Sequence, residues 1–137
     1  MRFAAALLSI AAFIQPAAAQ DTAAATQAAA KAAESWLALV DAGSYAQSWN
    51  EGAATFRGLV TEERWSGALN AARAPLGAVK SRKLARMQYT RTLPGAPEGE
   101  YVVIEYQTEF AARSGTETVV PMREADGRWK VSGYFVK

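Results

Sequence analysis

Residues 100–110 read Glu-Tyr-Val-Val-Ile-Glu-Tyr-Gln-Thr-Glu-Phe, and no other stretch limits the fold as tightly. Val102, Ile104, Tyr106, Thr108 and Phe110 alternate with Tyr101, Val103, Glu105, Gln107 and Glu109, the period-two pattern of a strand with one buried face. The even-numbered residues are expected to face the core. Upstream, Pro94-Gly95-Ala96-Pro97-Glu98-Gly99 is a turn by composition, and residues 79–93 before it have strand character. Pairing Leu93 with Glu100 sets Tyr89 opposite Ile104 and Met87 opposite Tyr106. Downstream, residues 111–115 form a short Gly-ended loop, and pairing Phe110 with Thr116 sets Val120 opposite Tyr106 and Met122 opposite Ile104. Asp126-Gly127 signals a two-residue hairpin turn with positive φ at both positions, pairing Ala125 with Arg128. That register puts Trp129, Val131 and Phe135 on the face of Val120 and Met122. The turns agree on a four-stranded antiparallel meander.

The first half of the chain reads as helix. Ala25, Ala29, Ala32, Ala33, Trp36, Leu37 and Val40 fall at helical spacing within residues 21–40, and Gly43 ends that helix. Ser44 can cap a short helix from Tyr45 carrying Trp49, which breaks near Gly52 and resumes over residues 54–59. Thr61 looks like the cap of a third helix, with Glu62 and Glu63 in its first turn where the helix dipole favours negative charge. Trp65, Leu69 and Ala72 line its apolar side, and Pro75 stops it. Helices first and strands after give an α+β class with helices on one sheet face.

The N-terminus carries a leader pattern: Met1-Arg2, an apolar run over residues 3–14, then Pro16-Ala17-Ala18-Ala19 with an A-x-A site. The run is too short to span a membrane, which takes about 20 apolar residues. Residues 1–19 are therefore expected to be a signal peptide and residues 20–137 a single domain, periplasmic or secreted, with no membrane span after cleavage. Losing Arg2 leaves fourteen basic against thirteen acidic residues, a formal charge of +1. A balanced surface of this kind argues against nucleic-acid binding. With no Cys there is no disulfide framework, so packing alone must hold the domain.

Several motifs together resemble a known family. They are Trp36-Leu37-x-Leu39-Val40-Asp41-x-Gly43-x-Tyr45-x-x-Ser48-Trp49, then Trp65, then Arg73-x-Pro75-Leu76-Gly77-x-Val79-x-Ser81-Arg82. Leu93-Pro94-Gly95-x-Pro97-x-Gly99-x-Tyr101 and Asp126-Gly127-x-Trp129-x-Val131-x-Gly133-Tyr134-Phe135 complete the set. The chain from about Trp36 to Phe135 is similar to an exported bacterial family catalogued as a domain of unknown function, the four-thousand-and-nineteenth of its series. The resemblance implies a cone-like fold similar to cystatin and nuclear transport factor two, and no established activity.

The absence of both His and Cys removes Ser-His-Asp and Cys-His chemistry and the usual zinc ligand sets. No metal or cofactor signature is present. Glu105 and Glu109 are a carboxylate pair on the face expected to point away from the helices, and Glu124 is the one acid expected on the inner face. Lys80, Arg82 and Arg86, expected to share a strand face, read either as an anion site or as charges that protect a sheet edge. Arg73, Ser81 and Arg82 are the candidate anion contacts. Trp49, Trp65 and Tyr106 are the candidate lining of a pocket between helices and sheet, the alternative being that they fill the core. Val103, Val119, Tyr134 and Val136 are expected on the outer face, where an apolar patch would suit a partner or a second copy in a homodimer. The leading expectation is a non-catalytic module binding a small or anionic envelope ligand or a protein partner. The alternative is a small His-free enzyme using a pocket carboxylate.

Overall fold

Four helices precede four strands: α1 Ala17–Asp41, α2 Tyr45–Asn50, α3 Ala54–Leu59, α4 Glu62–Arg73, then β1 Val79–Thr90, β2 Tyr101–Phe110, β3 Ser114–Arg123 and β4 Trp129–Val136. The structure is a computed structural model that describes Ile14 and residues 16–137. Residues 1–13 and Gln15, and with them most of the expected leader, lie outside the described residues. The strands form one antiparallel sheet in the order β1-β2-β3-β4, an α+β arrangement with the helices on one face. No described helix is long and apolar enough to cross a membrane.

Local chemistry places the helices where the sequence suggests. Trp36, Leu37 and Val40 at the end of α1 are buried with Ala29 and Ala33, whose small side chains let the helix lie close on the sheet. Gly43 takes φ +76° just past its end, a conformation only glycine adopts without strain. Thr61 Oγ1 accepts the Arg64 N–H and caps α4. Ser44 makes no such bond at α2. At α3 the acceptor comes from far along the chain, since the Ala54 N–H donates to Glu124 Oε1 at 2.8 Å. Glu124 thus caps a helix just beyond the end of β3 rather than lining the inner face.

The sheet departs from simple alternation in three places. β1 ends at Thr90, paired with Tyr101, so Met87 lies opposite Ile104 and Tyr89 opposite Val102. That two-residue offset from the expected register keeps the same side chains inside. Between Leu84↔Tyr106 and Arg86↔Glu105, however, Ala85 is left over as a β-bulge, and residues 81–84 before it turn to the other face until Lys80, left over between Val79↔Phe110 and Ser81↔Glu109, restores it. Arg82 therefore faces inward with Thr108, and does not share a face with Arg86. Next, a tight turn in which the Phe110 N–H donates to Arg113 O shifts β3 by three residues. Val119 pairs with Ile104 and Glu117 with Tyr106, which puts Val119 inside and Val120 and Met122 outside.

The last hairpin also differs from expectation. Only Gly127 has positive φ in the turn, and Glu124, not Ala125, pairs with Arg128. This is the three-residue loop in which a type I turn is followed by a left-handed glycine. Further along, Ser132 is left over between Val120↔Gly133 and Pro121↔Val131, with its hydroxyl donating to Val120 O. Trp129 and Val131 face the helices as expected. Beyond the bulge Tyr134 and Val136 turn inward, and Phe135 turns out to solvent.

Candidate functional site

The bulges at Ala85 and Ser132 and the shifted β3 have one joint result. Each carries a polar residue that strict alternation would leave outside, namely Arg82, Tyr134 and Glu117, onto the inner face, and there the three meet. Glu117 is fully enclosed. Its Oε1 accepts from Arg82 Nε at 2.8 Å and from Thr108 Oγ1 at 2.5 Å. Its Oε2 accepts from Arg82 Nη2 at 3.2 Å and from the Tyr134 hydroxyl at 2.5 Å.

Two helix ends complete the cluster. Asp41, the last residue of α1, accepts from Arg82 Nη1 at 2.8 Å and Nη2 at 3.0 Å. It also accepts from Arg73 Nη2 at 2.9 Å. Arg73 closes α4, where a cation suits the negative end of the helix. Its guanidinium lies 5.1 Å from the Phe110 ring centroid and 3.8 Å from Glu117 Oε2. Two carboxylates and two guanidiniums thus balance between helices and sheet, from fully enclosed Glu117 out to partly exposed Asp41, which is how a protein interior accommodates charge. Every lone-pair direction of Glu117 that a substrate could use is already taken.

The charges reinforce one another. Burial alone would raise the Asp41 pKa, but hydrogen bonds from Arg82 and then Arg73 outweigh it and hold the group below its ordinary 3.8. Burial disfavours the Arg82 cation, yet its bonds to Asp41 and Glu117 push its pKa up. The Tyr134 phenol is raised by burial and by the Glu117 carboxylate it donates to. A folded-state pKa below the unfolded one gives stability that is complete above the unfolded value and is lost as pH falls through the folded value. From about pH 4 downward the urea midpoint of the wild type is therefore expected to drop. Asp41→Asn should start lower at neutral pH and fall less steeply, and equal slopes would detach Asp41 from the acid transition.

The residues singled out in the sequence land in different places. Arg73 and Arg82 come together through Asp41, whereas Ser81 pairs with Glu109 and is exposed on the opposite face. Trp65 donates its indole N–H to Ser48 Oγ and packs edge-on to Phe56. Trp49 is half-buried and donates to Val60 O. Tyr106 is buried on the inner face, and its hydroxyl and the Arg73 Nε are buried without a partner. Sequence reasoning missed Asp41, Thr108, Glu117 and Tyr134 as members of a site. The one signal for Asp41 was its place in the Trp36 to Trp49 motif. Tyr134 had the same kind of signal in the Asp126 to Phe135 motif, and Glu117 gave none; the expected register turns both outward.

Residues 32–134 match the family described as Protein of unknown function (DUF4019). The chain belongs to the DUF4019 family. No curated protein and no solved structure matches it. All the charged members of the cluster lie within the DUF4019 match, and Tyr134 is its last residue.

The outer face of this DUF4019 sheet offers a different surface. A trough of about 390 Å³ runs over Val103, Val120 and Thr118, walled by the Leu93–Pro97 turn on one side and by Phe56, Leu59 and Phe135 on the other. Among the described residues, no charged one lines it. The Tyr101 hydroxyl donates to Pro97 O at 2.6 Å and pins the turn over the sheet. The apolar outer residues are thus Val103, Val120 and Phe135. Val119, Tyr134 and Val136, expected there, belong to the inner face.

Proposed function

We propose that the protein is a non-catalytic interaction module, exported to the periplasm or secreted, that docks an uncharged apolar segment of a protein partner in its outer trough. The observation that carries this reading is the exposure of Leu59 and Phe135, 88 % and 60 %, beside a hollow with no charge in its lining. Covering such side chains contributes roughly 1.5–3 kcal/mol each, and contiguous apolar surface of this kind marks recognition sites. A charged occupant would be desolvated there without a partner. The non-catalytic part is supported by Glu117, the enclosed carboxylate, whose four donors leave no lone pair to act as a base. The neutral balance of Arg73 and Arg82 with Asp41 and Glu117 weakens the case for an anionic ligand at the two arginines. Export rests on the leader pattern of residues 1–19.

A photo-reactive benzoylphenylalanine at position 59, in cells that make the protein, tests the trough. The expected product is one adduct of defined mass whose cross-linked peptide is an uncharged apolar stretch, lost when Phe135→Glu is added. An adduct of two copies of this chain would make the trough a homodimer surface and overturn the reading. So would a lipid adduct, or none.

A further inference from the structure

A second recess lies on the helix side, where α1, α2 and the start of β4 meet. It is a cleft of about 360 Å³, and no residue lines both it and the outer trough. Its floor is apolar, with Trp36 and Val131 each 3 % exposed. Half-buried Trp129 makes a wall, and Ser35, Gln47 and Glu51 form the rim. Arg128 also reaches the rim, but Asp126 holds its guanidinium at 2.8 Å. Lys130 pairs with Met122, so its side chain belongs to the outer face, and Glu51 is the charge left at the rim.

The four tryptophans differ in one respect. Trp36 donates its indole N–H to Ser48 O, Trp49 to Val60 O and Trp65 to Ser48 Oγ. Trp129 finds no acceptor among the described residues, and its nitrogen is not among the sealed, unpartnered atoms. An indole N–H normally finds a partner when its ring is packed, whereas Trp129, which borders this cleft and a neighbouring recess beside Glu100 and Arg123, keeps its donor open to a ligand.

We propose that the cleft binds a neutral saccharide unit. A pyranose ring presents a patch of C–H groups that packs on an indole face, and around its edge are hydroxyls that both donate and accept. Trp129 supplies the face and a donor. Glu51 accepts, and Gln47 and Ser35 both donate and accept. A purely apolar ligand would strip water from Glu51 and return nothing, and an acidic one would meet the Glu51 carboxylate. The volume is at the small end for ligand pockets, about 300–1,000 Å³, which suits one or two sugar rings.

The test is a titration of the full chain, ¹⁵N-labelled at its indoles, with maltotriose, chitotriose and glucuronic acid, followed by NMR. Trp129→Phe identifies the Trp129 indole resonance by its disappearance. A neutral saccharide is expected to move that resonance saturably and the other three less. Trp129→Ala should weaken binding at least about tenfold, and Glu51→Ala a few-fold, with the remaining indole signals keeping their dispersion as the check on folding. No movement with either neutral oligosaccharide at millimolar concentration overturns the proposal. So does glucuronic acid binding as well as they do, or undiminished binding by a folded Trp129→Ala.

Discussion

Glu117→Ala is expected to lower the unfolding free energy by about 3–5 kcal/mol, the usual cost of removing one side of a buried ion pair. The size follows from what is stranded. Arg82 keeps only Asp41, and the hydroxyls of Thr108 and Tyr134 lose their acceptor inside the core. Each buried polar group left unsatisfied costs roughly 1–3 kcal/mol. Against a total stability of about 5–15 kcal/mol for an ordinary domain, the variant should unfold at a much lower urea concentration. Arg82→Ala should behave similarly, and the double variant should cost less than the two single losses together, because each removes the partner the other lacked. A loss under about 1 kcal/mol for Glu117→Ala would show that packing alone holds the helices on the sheet.

The second large effect concerns residues with no polar side chain. Deleting Leu84 together with Ala85 takes out one residue more than the β-bulge between Leu84 and Arg86 holds, and the strand before it must then turn over by one position. Arg82 would come opposite Gln107 and point to solvent, and Ser81 would face Thr108. The expected loss is therefore about 3 kcal/mol or more, as for an uncompensated buried charge. Adding Arg82→Ala to the deletion should change little further. Substituting Ala85 by Ser, which keeps the extra residue, should stay within about 0.5 kcal/mol. Urea titration of the four proteins decides it, and a deletion variant as stable as the wild type would mean that the bulge does not aim Arg82.

The sequence made the elements legible and left their registers hidden. Tyr45, Ala54 and Glu62 start helices where Ser44, the Gly52 break and Thr61 suggested, since caps and breakers act locally. The inner face of β2 could be read from Val102, Ile104, Tyr106, Thr108 and Phe110 because the strand lies mid-sheet with no bulge of its own. Edge strands are different: an extra Ala85 or Ser132 leaves no mark in composition, yet each reverses the faces beyond it. Turn chemistry failed similarly at Phe110, where a tighter loop than assumed carried Glu117 inward. The charged cluster was invisible because all three errors fell on the residues that build it. The resemblance in the motifs, by contrast, needed no register, and the family match over residues 32–134 bears out its assignment as a domain of unknown function.

The cluster draws its members from Asp41 at the end of the first helix to Tyr134 near the end of the last strand. No portion of the chain that stops short of β4 can assemble it. While the protein is being synthesised, Arg73 and Arg82 find Asp41 already made but emerge well before Glu117 and Tyr134. The meander's pairing of each strand with its immediate predecessor is local and can form in that interval. Completion of the cluster then waits for the final hairpin, so a ribosome stalled anywhere before Gly127 holds a sheet without its keystone.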